Sequence, residues 1–354
     1  MRSEQGGAYQ DLLTRPLHFS VAACLCERTI VRLALALATG LLLASCAAVP
    51  PQPDHVPSQV PPAIEARLRE MGRVVDPPRT AELYVPLAGK EPYAGVKVTR
   101  DLAYGPDARH RLDVFEPQAQ GGSRPVLLFV HGGGFTAGNK RTGTSPFYDN
   151  IMLWAVANGM VGVNMTYRLA PQHPWPAAQE DIAAALRWVH GNVRSHGADP
   201  ARVFLMGHSA GAAHVAHYVA HPRFHVHPGG GIAGAMIVSG LFAVPPGATN
   251  APINAYFGND GSQHAAQSAL PGLASTRVPL LFAFAELDPP EFPVQAKLLQ
   301  DTLCAAQRCP RIHWLLGHSH MSEVYAINTA DRALTDLMLA FMRQQGTGAR
   351  HSLR

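Results

Sequence analysis

A chain of 354 residues in which 47% are hydrophobic and 15% charged carries enough apolar material for a buried core and too little charge for a disordered protein. Its formal net charge is +4 at pH 7, and no run of Lys or Arg reaches five residues, so a basic tail for nucleic acid is excluded and no nucleic-acid partner is expected. The length admits one large α/β domain or two small ones.

Residues 33–44, Leu-Ala-Leu-Ala-Leu-Ala-Thr-Gly-Leu-Leu-Leu-Ala, form a twelve-residue apolar run behind Arg28 and Arg32. The run is too short to span a bilayer comfortably and has the layout of a secretory signal. Leu43-Ala44-Ser45-Cys46 follows. It resembles the bacterial lipobox, which implies cleavage before Cys46, lipid on that cysteine as a membrane anchor and, with Ala47 rather than Asp next, retention on the periplasmic side of the outer membrane. An ordinary signal peptide with an incidental cysteine, or an amphipathic cytosolic leader, is the competing reading. About 27 residues precede the basic region, longer than a signal usually carries, which makes Val31 an alternative start and would remove Cys24 and Cys26 from the chain. Cys304 and Cys309 are then the pair left besides Cys46, and in an exported protein they are either a disulfide or two free thiols at a helix end.

Pro50, Pro51, Pro53, Pro57, Pro61 and Pro62 give residues 46–62 the composition of an extended tether that does not pack. The expected divisions are a signal peptide over 1–45, this tether over 46–62 and one folded domain over 63–354. Within that domain residues 63–94, with Ile64 to Met71 at helical spacing and then Asp76-Pro77-Pro78-Arg79-Thr80, are expected to form a small N-terminal cap across the site.

Strands are predicted at Val96 to Tyr104, Arg111 to Phe115, Val126 to Val130, Val161 to Tyr167, Val203 to Met206, Ala235 to Val238, Leu280 to Phe284 and Ile312 to Leu316. From the third onward they are short, mostly apolar and separated by helix-like segments, such as the run from Asp181 with Ile182, Leu186 and Val189 on one face. Alternating strand and helix with apolar strands predicts an α/β domain whose mainly parallel central sheet is flanked by helices on both faces. No internal repeat is present.

Two glycine-rich turns carry chemistry. His131-Gly132-Gly133-Gly134-Phe135 stands at the end of the third predicted strand, where successive glycines let backbone N–H groups converge on a developing oxyanion. Without a Gly-Lys-Ser/Thr ending it is a poor phosphate loop. Gly207-His208-Ser209-Ala210-Gly211 lies between the apolar run Val203 to Met206 and a helix-like Ala212 to Ala216. It reads as strand, sharp turn and helix with a serine nucleophile at the apex.

Together these motifs resemble the α/β-hydrolase fold and, within it, the hormone-sensitive-lipase-like carboxylesterases. Tyr167-Arg168-Leu169-Ala170-Pro171-Gln172-His173-Pro174-Trp175-Pro176 with Asp181 is similar to the segment that family carries between loop and nucleophile. Its prolines and acid read as fixing a crossover. The resemblance, over roughly residues 95 to 345, implies an oxyanion hole from Gly133 and Gly134 with the amide of Ala210. It implies a triad in the order Ser, acid, His. Asp288, in Ala285-Glu286-Leu287-Asp288-Pro289 after the Leu280 to Phe284 strand, matches the acid, with Glu286 as the rival. His320, in Gly317-His318-Ser319-His320-Met321 after the last strand, fits the base, with His318 as the alternative. The family often continues past the acid-proline pair with Leu-Arg-Asp, whereas Pro290-Glu291-Phe292 follows here.

His214, His217 and His221, with His225 and His227 beyond, invite a metal reading, but no acid stands among them and they are read as satisfied structural histidines, with no metal. The resemblance thus implies a cofactor-free serine carboxylesterase acting on small-molecule esters of short to medium acyl chain through an acyl-enzyme. A kynurenine-formamidase-like amide hydrolase, or a catalytically inactive surface lipoprotein, are the alternatives. Fold cannot supply the substrate.

Overall fold

The computed structural model describes residues 53–119, 121–244 and 250–348. The signal peptide expected over 1–45 and the lipidation site expected at Cys46 lie outside the described residues.

The domain opens with β1 (Asp54–Val56), helices α1 (Pro62–Met71) and α2 (Pro77–Tyr84), and the hairpin-like pair β2 (Val96–Ala103) and β3 (Arg111–Pro117). Strand and helix then alternate: β4 (Arg124–Val130), α3 (Asp149–Ala157), β5 (Val161–Met165), α4 (Ala177–Asn192), β6 (Ala198–His208), α5 (Ala210–Ala220) and β7 (Gly234–Val238). Three short helices follow, α6 (Ala251–Phe257), α7 (Gly261–Gln267) and α8 (Leu270–Ser275). The chain continues through β8 (Leu280–Leu287), α9 (Glu291–Ala305), β9 (Ile312–Ser319), α10 (Ser322–Tyr325) and α11 (Ala333–Gly348). The nine strands form one sheet in the order β1-β9-β8-β7-β6-β4-β5-β3-β2. β3 runs antiparallel to both β2 and β5, and the other pairings are parallel.

Side chains of β4 show why the strand reads as an unbroken apolar run. Val126, Leu128 and Val130 pack into one core together with α4 and α5, through Ile182, Leu186 and Ala213. Leu127 and Phe129 pack into a second core on the other face, with Ile151 of α3 and Met338 of α11. A strand covered on both sides buries both of its alternating sets, so the period of two disappears from the sequence. The crossover after β5 is held as expected: buried Asp181 accepts from the Arg168 backbone N–H at 2.7 Å and lies 2.9 Å from His110 Nε2.

The Pro-rich tether expected over 46–62 needs correction where it is described. Asp54–Val56 pairs in parallel with His313 to Leu315 as an edge strand, and Val60 is buried. Pro53 and Pro57 flank the three paired residues and interrupt none of them, the placement proline tolerates at a sheet edge. The segment expected as a cap is fastened to the same edge. Leu68 of α1 packs with Val60 and Leu287, Arg69 pairs with Glu286, and Arg73 Nη1 donates to the Asp288 carbonyl at 3.1 Å. Cys304 and Cys309 form a disulfide at the end of α9.

Candidate active site

Ser209 sits between the last residue of β6 and the first of α5 at φ 57°, ψ −125°, a backbone conformation that costs a residue with a Cβ about 1–3 kcal/mol. The flanking glycines make the turn feasible. A Cβ on Gly207 would overlap the Gly211 carbonyl, and one on Gly211 would overlap that of Val130. Ser209 N–H donates to Val238 O at 3.0 Å, tying the apex to the neighbouring β7.

The glycine loop after β4 lies directly against this turn, since a Cβ on Gly132 would stand 2.9 Å from Ser209 Cβ. Gly133 has φ +132° and Gly134 φ +58°, and neither N–H donates to a partner among the described residues. Two unspent amides beside a serine are the arrangement an oxyanion requires. The loop is braced by His131, whose ring stacks on Tyr167 at 4.4 Å, and by Tyr167 OH donating to His131 O at 2.8 Å. Gly134, Phe135, Ser209 and Ala210 line one cavity of about 720 Å³, so the serine and the loop face a common space.

Asp288 follows β8 and His320 follows β9, and the parallel pairing of those strands brings them together. His320 Nδ1 lies 2.7 Å from Asp288 Oδ1, both side chains fully buried. His320 Nε2 is buried with no hydrogen-bond partner among the described residues, so no hydrogen bond joins it to Ser209. The imidazole lies beside the Phe292 ring at 4.4 Å. Asp288 holds the ring and is itself held: Oδ2 accepts from Ser239 Oγ at 2.6 Å and from Ala285 N–H at 3.0 Å.

The rival residues are occupied elsewhere. Glu286 pairs with Arg69 and accepts from Gly317 N–H at 2.7 Å, and the Arg69 hydrogen bond holds its pKa below the ordinary glutamate value. His318 Nδ1 lies 3.2 Å from Ser322 Oγ and Nε2 3.1 Å from Asp331 Oδ2. His217 of α5 and His221 just after it each aim Nδ1 at the carbonyl four residues back, the use expected of structural histidines, whereas both ring nitrogens of His214 are buried without a hydrogen-bond partner among the described residues, so the expectation of a satisfied group needs correction there.

Three residues beside this pair carried no signal in the sequence reading. Ser239 follows β7 at φ 47° and reaches Asp288 across the sheet. His208 Nε2 lies 2.8 Å from the His320 carbonyl and 3.3 Å from Glu323 Oε1. Burial, and then the nearby Asp288 carboxylate, push the Glu323 pKa well above the usual carboxylate range. Burial and His320 press His208 well below the usual histidine value. Glu323 and His208 are therefore a neutral pair packed behind Asp288 and His320.

Residues 112–224, which contain both the glycine loop and the serine turn, match the BD-FAE family. The chain is 36% identical over 137 residues to the protein named Probable carboxylesterase 13 of Arabidopsis thaliana, covering 34% of this chain and 40% of that one. It is 45% identical over 87 residues to esterase LipI of Mycobacterium tuberculosis, covering 25% and 26% respectively. The chain thus aligns with less than half the length of these relatives. Among solved structures, esterase B from Lactobacillus Rhamnosis superposes with a TM-score of 0.61 at 17% identity, over 81% of this chain and 98% of that one. At that identity the likeness is one of fold. The chain accordingly has the α/β-hydrolase fold, and over part of its length it is similar to proteins named carboxylesterase and esterase.

Proposed function

We propose that the chain is a serine carboxylesterase acting on small esters of short to medium acyl chain. The observation that carries this reading is the buried Asp288–His320 pair, whose outer nitrogen is left unpartnered among the described residues and whose imidazole lies against Phe292, a lining residue of the cavity that Ser209 and Gly134 share. Ser209 Oγ attacks the ester carbonyl while its proton passes to His320 Nε2. Asp288 fixes the Nδ1–H tautomer and stabilises the imidazolium. The negative charge that develops on the carbonyl oxygen is met by the N–H groups of Gly133, Gly134 and Ala210. His320 returns its proton to the departing alcohol, and a water deprotonated by the same nitrogen then releases the acid and restores Ser209.

Ser209→Ala in the purified chain tests the reading: turnover of aryl butyrate should fall about 10⁴-fold or more with the fold intact. A loss below about tenfold overturns it. Formyl amides assayed beside the esters separate this activity from the amide hydrolase that the same groups would support. We further propose that Cys46 is lipidated and holds the enzyme at the periplasmic side of the outer membrane, a reading supported by the basic, apolar and Leu-Ala-Ser-Cys sequence over residues 28–46.

A further inference from the structure

The chain departs from the pattern it resembles just after Asp288, at Pro290-Glu291-Phe292, and this departure builds one wall of the cavity beside Ser209. Helix α9 begins at Glu291. Phe292 closes over the His320 ring. Val294, 52% exposed, and Val75, 50% exposed, stand at the mouth. The two amide side chains of the wall bond to the backbone. Gln295 Oε1 accepts from Phe242 and Ala243 N–H, its Nε2 donates to Ala243 O, and Asn250 Oδ1 accepts from Ile253 N–H. Glu291 differs from them. It is exposed, it is the one charged side chain among the described residues lining this cavity, and its carboxylate has no hydrogen bond or ion pair with any described residue.

A lone carboxylate over an apolar wall attracts a cation entering the cavity and repels an anion, and the effect strengthens as the ligand displaces water. We propose that Glu291 makes this cavity selective for esters that carry a cationic group, an amine or quaternary ammonium, in the part of the substrate that fills it. The inference rests on the esterase reading above and deepens it by naming the substrate class. Glu291 acts on which ester is bound and takes no part in proton transfer.

The test compares kcat/KM of the full chain for isosteric esters of different charge. On the alcohol side these are butyrylcholine and 3,3-dimethylbutyl butyrate. On the acyl side they are aryl esters of 4-(trimethylammonio)butyrate, 5,5-dimethylhexanoate and glutarate. The cationic ester should be preferred to its neutral isostere about three- to tenfold on the side that occupies the cavity, and the glutarate disfavoured. That ratio should fall to near unity in Glu291→Gln, invert in Glu291→Lys, persist in Glu291→Asp and shrink in about 0.5 M NaCl. Because each ratio is taken within one variant, a general loss of activity does not mimic it. Equal kcat/KM across the charges in the wild type, or a ratio unmoved by Glu291→Gln, overturns the inference and leaves Ser209-dependent esterase activity standing. Failure to turn over any of the esters overturns both.

Discussion

Ser239 Oγ donates a 2.6 Å hydrogen bond to Asp288 Oδ2, the carboxylate oxygen that does not face His320. With Ala285 N–H on the same oxygen, Asp288 is clamped in the plane that its other oxygen needs to hold the imidazole. Hydrogen bonds to a charged group are worth about 1.5–3 kcal/mol. Ser239→Ala should therefore lower kcat about tenfold through misorientation of His320 while KM stays within about twofold. Steady-state kinetics on a neutral ester with the acid limb of the pH profile recorded checks this, and an unchanged kcat would reduce Ser239 to a packing role.

The two histidines of Gly317-His318-Ser319-His320 are separated by one residue, but His318 lies on β9 against Ser322 and Asp331 and His320 just past its end against Asp288. His320→Ala should abolish turnover to the level of Ser209→Ala. His318→Ala should instead lower the melting temperature, because it strips buried Asp331 of its imidazole partner and leaves the Ala333 N–H as its remaining hydrogen bond, and breaking a buried pair by removing one member costs about 3–5 kcal/mol at most. Thermal denaturation together with kcat for the two variants reads both halves. An inactive but fully stable His318→Ala would reverse the assignment.

What was legible in the sequence follows from how far each signal reaches. Strands β2 to β9 could be placed because burial on one or both faces writes itself into consecutive residues, and the serine turn because Gly207 and Gly211 are required within two residues of Ser209. β1 was hidden: three residues between prolines carry no periodicity, and their partner lies at His313 to Leu315. Ser239 and Glu323 were hidden for the same reason. Each is an ordinary residue until the sheet brings it beside Asp288 or His208, 49 and 115 positions away in sequence. Glu286 against Asp288 and His318 against His320 stayed open because neighbours in sequence differ only in the direction they face.

Glycine loop substitutions should separate sterics from catalysis. A Cβ on Gly133 would overlap the Ala137 carbonyl, whereas one on Gly134 meets Pro252 Cβ at an ordinary 3.8 Å and suffers only its positive φ. Gly134→Ala should thus fold with a loss of about 1–2 kcal/mol, and Gly133→Ala should cost more, as the loop must shift. In both, displaced donor amides should lower kcat more than they raise KM, up to the ~3 kcal/mol that one oxyanion donor is worth. Denaturant titration beside kcat and KM measures it. Wild-type kcat in both variants would place the oxyanion hole elsewhere.

Acid should destabilise the fold through its buried histidines. Burial lowers the pKa of His131 to about 3 and of His217 to about 4, and presses His208 and His214 well below the usual value. Above pH 6.5 these groups are neutral in both folded and unfolded chains and impose no pH dependence. Below 6.5 the unfolded chain takes up protons that the folded chain refuses, so stability falls as pH drops towards the folded values. Each such group contributes a slope of up to about 1.4 kcal/mol per pH unit. Chemical denaturation at pH 7.5, 6.5, 5.5 and 4.5 should show a midpoint that is flat over the first step and declines over the rest, with part of the decline removed in His214→Phe. A midpoint independent of pH down to 4.5 would mean these side chains are hydrated or ion-paired in solution.

The last prediction concerns where the enzyme works. Asp54 is already paired into the sheet, and only the seven residues from Ala47 to Pro53 lie between it and Cys46 in sequence, so the anchor reading requires an enzyme held close to its membrane. One acyl chain binds a bilayer only reversibly, and a cysteine carrying several binds it firmly. Expressed in a Gram-negative host, the full chain should fractionate with membranes and incorporate labelled palmitate. Cys46→Ser should lose the label and accumulate as a precursor that keeps its apolar run, while still reacting with a fluorophosphonate probe at Ser209, since the substitution leaves every residue proposed for the site unchanged. Mass spectrometry of the mature N-terminus supplies the decisive reading. A wild-type protein recovered unlabelled from the soluble periplasm, beginning at a residue other than 46, would overturn the anchor and leave the proposed esterase activity untouched.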